Sequence, residues 1–178
     1  MILTISLLAL TLIALVIAPR FSFKRSIQTA IEINTSAEKV YAHMADFDHY
    51  NQWSPFIKSI HGNLEKNEVL RVLIQPQGKS AMEFKPTLLN VEQNKEIRWL
   101  GKLGFKGIFD GEHYFILEKI NHNKTRLIHG ESFKGVLVPM LWSMIKHSTK
   151  MGFKAHNSAL KNISEANSRV NPHIQINH

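Results

Sequence analysis

Hydrophobic and polar residues alternate along most of this chain, and the alternation divides it into strands. Ile27, Thr29, Ile31 and Ile33 share one side of a first strand. Further strand-like stretches follow at 56–63, 68–76, 80–92, 95–103, 108–119 and 124–134, joined by links rich in Asn, Gly, Lys and Gln. In the last two, IFDGEHYFILEKINHNKTRLIHGESF, the polarity makes NHN at 121–123 the turn. Lys119 then stands opposite Thr125, His113 opposite Glu131, and Phe115 opposite His129. The same face carries Leu117, Leu127 and Phe133, so it must point inward.

Helical spacing takes over in three places. Thr35 followed by Glu38 carries a capping-box signature and predicts a short helix from about Ser36, with Val40, Tyr41 and Met44 on one side. Turn formers and Pro55 end that region, where Tyr50 and Trp53 share one face of a second short helix. Near the C-terminus, Leu141, Met144, Ile145, Ser148, Met151, Gly152, Ala155, Ala159 and Ile163 recur at helical spacing. They predict one long helix, Pro139 in its first turn, laid across the apolar face of the sheet. The order is β-α-α-β₆-α: an α+β domain whose antiparallel sheet of about seven strands curls around the last helix. Such curvature implies an internal cavity of a few hundred cubic ångströms.

Residues 2–18, ILTISLLALTLIALVIA, follow neither pattern, having no charge and no strong helix breaker. As a helix they reach about 25 Å, enough for a short membrane span. We therefore expect a single-pass anchor over 1–20, a globular domain over 26–166 and a flexible tail over 167–178. Arg20, Lys24 and Arg25 follow the span and no Lys or Arg precedes it, which puts the domain on the cytoplasmic side. The competing readings are a buried helix and a cleaved signal peptide with export. The second lacks a basic leader, and cleavage after VIA would leave Pro19 first.

From about Ser26 to Ala166 the chain resembles the START-related polyketide cyclase/dehydrase and lipid-transport superfamily (SRPBCC), with its helix-grip fold. The stretches that carry the resemblance are INTSAEKVYAHMADFDHYNQWSPF, FDGEHYFILEK, TRLIHGESFKGVLVPMLW and MGFKAHNSALKNISE, in that order. The resemblance implies an apolar pocket between sheet and C-terminal helix. It implies no single chemistry, since relatives bind lipids and other hydrophobic molecules and a few are cyclases or dehydratases.

Composition narrows the partners. The 178 residues carry a formal charge of +8 and no cysteine, so disulfides, a thiolate nucleophile and cysteine-ligated metal are excluded. The basic balance admits anionic lipid, nucleic acid or an acidic small molecule. Without a recognised binding module, a phosphate loop or aromatic–basic interleaving, nucleic acid is rejected. Lys146, Lys150, Lys154 and Lys161 form a stripe on the outer side of the last helix, either a solvated face or a patch held at an anionic leaflet.

Three ionisable residues, His113, His129 and Glu131, sit in an apolar row and need a reason. They satisfy one another as a buried pair shaping a pocket wall, or they meet the hydroxyl, carbonyl or carboxylate of a ligand. As a third possibility, a His–Glu dyad moves a proton on an enolisable substrate. Cross-strand neighbours lack diagnostic metal-ligand spacing, and neither a metal nor a cofactor is expected. Trp53, Phe84, Trp99 and Phe115, with Met144, Ser148 and Met151 on the helix, are the expected walls. The resulting expectation is a membrane-tethered protein that holds a hydrophobic small molecule or lipid. The alternatives are a cyclase- or dehydratase-type enzyme and a membrane-associated assembly protein with a filled pocket.

Overall fold

The computed structural model describes residues 22–169. The apolar run 2–18, with the anchor expected of it, and the tail beyond residue 169 lie outside those residues. Among the described residues no helix is long and apolar enough to cross a membrane.

The chain opens with β1 (Phe23–Ile33), α1 (Ala37–Ala45), a 3₁₀ turn (Phe47–His49) and α2 (Tyr50–Trp53). It continues through β2 (Ile57–His61), β3 (Arg71–Ile74), β4 (Met82–Phe84), β5 (Thr87–Glu92) and β6 (Glu96–Lys102). The hairpin β7 (Asp110–Asn121) and β8 (Lys124–Gly135) then leads into α3 (Val138–Arg169), which takes the first three residues assigned to the tail. This is the α+β helix-grip arrangement, a curved antiparallel sheet with a long C-terminal helix.

The strands form two sheets: a five-stranded one in the order β1-β8-β7-β6-β5 and a three-stranded one in the order β2-β3-β4. The stretch 80–92, expected as one strand, is two, because the chain breaks at Lys85–Pro86 and proline has no N–H for a ladder. The sheets remain stitched there. Leu70 donates to the Pro86 carbonyl and Leu88 to that of Glu68, beside a bridge between Val69 and Thr87. The β7–β8 register pairs Lys119 with Thr125, His113 with Glu131 and Phe115 with His129, as the alternation predicts. The first helix starts one residue late for the predicted box: Ser36 is its N-cap, without a side-chain cap bond.

The face of α3 differs from the predicted stripe. Phe153, His156, Asn157, Leu160 and Ser164 are buried at 3–4 spacing, whereas Met144 and Met151 are exposed. Choosing the face by hydrophobicity favoured the methionines. The helix is instead rotated so that His156 and Asn157 turn inward, where Ser54, just after α2, bonds the first and Thr29 and His129 of the sheet bond the second. Gly152 marks the close approach, since a Cβ there would enter the Phe56 ring. Lys146, Lys150 and Lys154 are exposed, while Lys161 is partly buried, donating to the Glu32 carbonyl and pairing with Glu165.

Candidate functional site

Strand parity brings the ionisable residues together. Trp99 of β6, His113 of β7 and Glu131 of β8 lie in one cross-strand row, with Phe115 and His129 in the row beside it. The Trp99 and His113 rings are parallel at 4.7 Å, and the His129 ring lies on Phe153 of α3 at 3.8 Å.

His129 sits in a closed circuit of hydrogen bonds. Thr29 Oγ1 donates to the His129 carbonyl at 3.2 Å, and Asn157 Nδ2 donates to Thr29 Oγ1 at 2.9 Å. The Asn157 Oδ1 is thereby turned to accept from His129 Nδ1 at 2.7 Å. Burial, then the neighbouring His113 and His156, hold the His129 pKa well below the ordinary range, so the ring is neutral. A neutral ring protonated at Nδ1 has a lone pair at Nε2, which accepts from His113 Nε2–H at 3.0 Å. The remaining nitrogen of His113, Nδ1, stands 3.6 Å from Glu131 Oε2. That separation is an ion-pair distance, longer than a hydrogen bond, so the imidazole and the carboxylate face each other across it without a direct bond.

His113 and Glu131 lie at the wall of a cavity of about 80 Å³. Val72 and Ile74 of β3, Phe84 of β4, and Phe56 and Pro86 form its apolar side; Trp99, Gly101, Gly111, His113 and Glu131 form the side belonging to the larger sheet. Among the described residues that line it, His113 and Glu131 alone are ionisable. Gly111 is what lets the carboxylate lie there, because a Cβ at that position would strike Glu131 Oε1.

Of the predicted residues, Phe84, Trp99, His113 and Glu131 meet at this cavity. Phe115 and His129 are fully buried behind it. Trp53 packs on Tyr50 and His156, each at 4.8 Å. Met144 and Met151 face outward, and Ser148 Oγ donates to the Ile145 carbonyl of its own helix. Among the described residues this cavity falls short of the expected few hundred cubic ångströms, because Phe56, Phe115 and Phe153 fill the space between helix and sheet with rings.

The inward polar residues of α3 and β1 escaped the sequence reading. Asn157 and His156 stand at helical spacing between Phe153 and Leu160, and Thr29 shares the inward parity of Ile27. That spacing was the available signal. His156 is held by Ser54 Oγ at 2.9 Å, and burial, then His113, push its pKa down to about 3. Its Nε2 has no hydrogen-bond partner among the described residues. No group of three or more His, Asp or Glu among those residues is placed to hold a metal.

Comparison with known proteins gives the same picture at the level of fold. Residues 24–165 match the model of the family described as polyketide cyclase / dehydrase and lipid transport. A search of curated proteins finds no match. Among solved structures, the Zhui aromatase/cyclase from Streptomyces sp. R1128 superposes with a TM-score of 0.68 at 14% identity, covering 83% of this chain and 97% of that one. A START superfamily protein from Mycobacterium smegmatis gives 0.63 at 22% identity, over 79% and 97% of the two chains. Norcoclaurine synthase from Thalictrum flavum, solved with dopamine and hydroxybenzaldehyde, gives 0.65 at 11%, over 85% and 92%.

Proposed function

The chain belongs to the polyketide cyclase/dehydrase and lipid transport family, and from that premise we propose that it is a membrane-tethered binding protein for a hydrophobic small molecule or lipid. The observation that carries this reading is an apolar cavity with a single ionisable pair in its wall. Such a wall takes an apolar body and recognises one polar end: a ring N–H of His113 can be offered to a carbonyl, or the Glu131 carboxylate can accept from a hydroxyl. Burying the apolar part stabilises the complex by roughly 25 cal/mol per Å² before ordering losses.

At about 80 Å³ the cavity falls short of the roughly 300–1,000 Å³ typical of ligand pockets. Loading must displace a wall. The movable one is the β3–β4 side, where β4 is exposed at every residue and Phe84 stands at the edge of the cavity. The anchor 2–18 holds the domain on the cytoplasmic side of a bilayer, so that a ligand partitioning into lipid need not cross much water.

A second reading has its own observation. Glu131, His113 and His129 stand in a row, 3.6 and 3.0 Å apart, that ends at the cavity, an arrangement an acid–base enzyme of the cyclase or dehydratase kind could use. One experiment separates the two. The full chain is purified gently from its native membrane, and its organic extract and intact mass are measured. A stoichiometric hydrophobic species, reduced in the Glu131→Gln variant, on a chain still carrying residues 1–18, is the expected result. An empty protein in which Glu131→Gln abolishes turnover of an enolisable substrate overturns the binding reading in favour of catalysis. An empty, inactive protein that retains a partner protein favours an assembly role.

A further inference from the structure

One end of the molecule gathers apolar and basic side chains that the cavity does not use. Phe105 is 83% exposed at the tip of the β6–β7 connection, beside exposed Leu103, and Met140 is 66% exposed in the first turn of α3. These segments are tied together: Val136 donates to the Gly107 carbonyl, Leu137 to that of Ile108, and Gly135 leaves no room for a Cβ against Ile108. Phe23, itself exposed, pairs with Gly135 at the same end.

Cations surround them. Lys24, Lys134, Asp110 and Lys102 form one cross-strand row, and Arg25 and Lys106 border the same groove. Of the acids there, Glu112 pairs with Arg98, and Asp110 is buried, accepting from the Gly107 N–H through Oδ2 while its Oδ1 has no hydrogen-bond partner among the described residues.

The sequence supplies the occupant. The uncharged run ends at Ala18, five residues before Phe23, so whatever conformation residues 19–22 take, it lies within about 18 Å of this end. We propose that the end formed by Phe23, Leu103, Phe105 and Met140, ringed by Lys24, Arg25, Lys102, Lys106 and Lys134, docks on an anionic phospholipid leaflet. The apolar tips enter the headgroup–acyl boundary and the cations meet lipid phosphates. The inference rests on the tether of the preceding reading and is independent of what fills the cavity.

The absence of cysteine makes the test direct. The full chain carrying Phe105→Cys, or Asn123→Cys at the opposite end of the sheet, is labelled with an environment-sensitive fluorophore. Each is reconstituted into vesicles of phosphatidylcholine with phosphatidylglycerol, and of phosphatidylcholine alone. The label at 105 should shift to the blue and be quenched by spin-labelled lipid in the anionic vesicles, with the effect weakened by salt. The label at 123 should remain water-like. Lys106→Glu with Lys134→Glu should abolish the shift while the protein still floats with the vesicles. Flotation without a shift at 105 overturns the docking face and leaves the tether standing. Failure to float overturns the tether and, with it, this inference. A shift without vesicles that grows with protein concentration makes a second copy of the chain the occupant instead.

Discussion

The two walls of the cavity are built in opposite ways. On one side, β1, β7, β8 and α3 surround a polar network in which His129, Asn157 and Thr29 satisfy one another. On the other, β2, β3 and β4 form a small sheet whose last strand is exposed at every residue. The first wall fixes where a ligand's polar end would sit. The second, exposed along β4, is the wall that the proposed loading would displace. A binding site needs both: a reference surface and a surface that yields.

The comparison is broken most strongly by substitution within α3. Phe153→Ala removes a fully buried ring stacked on His129 and should destabilise the domain by about 3–5 kcal/mol, read from urea midpoints. The matching change on the other wall, Phe84→Ala, should cost under about 1 kcal/mol, because that ring is already partly in water. Equal losses would mean that the small sheet is as tightly held as the large one.

Acid should act on the same side. His156 is held neutral, with its pKa pushed from 6.5 to about 3, and His129 is lowered in the same direction. Below pH 6.5 the unfolded chain binds protons that the folded one refuses, so stability rises with pH across the window from about 3 to 6.5 for His156. The limiting slope is about 1.4 kcal/mol per pH unit per histidine. Melting temperatures between pH 5 and 7 should reveal it, and His156→Gln should flatten it. An unchanged slope in that variant would remove His156 from the account.

A smaller loss sharpens the picture at a single atom. Asn157→Leu keeps the volume but leaves the His129 Nδ1–H and a Thr29 lone pair without partners, at a cost of about 1–3 kcal/mol. Thermal unfolding with Thr29→Val as the second member of a double-mutant cycle should give a sub-additive sum, since both break one circuit.

What could be read from the sequence follows from the same contrast. The β7–β8 hairpin is specified locally: alternation and a polar turn fix its register, and with it the meeting of His113 and Glu131. The face of α3 is set by partners distant in sequence. His156 and Asn157 turn inward because Ser54, Thr29 and His129 are there to bond them; their helical spacing between Phe153 and Leu160 is a signal that does not by itself choose that face over the methionine one. Likewise 80–92 alternates well enough to look like one strand, and only the requirement for an N–H at Pro86 divides it. Trp99, Phe84, His113 and Glu131 do meet at a cavity, but it is smaller than expected, since the rings of Phe56 and Phe153, which stand outside the strands, are invisible to strand parity.

Asn157 bonds both Thr29 on β1 and His129 on β8, and so works as an alignment pin between helix and sheet. A helix held there cannot slide by a turn along the strands without shearing both of these hydrogen bonds at once, together with the one from Lys161 to the Glu32 carbonyl one turn further on.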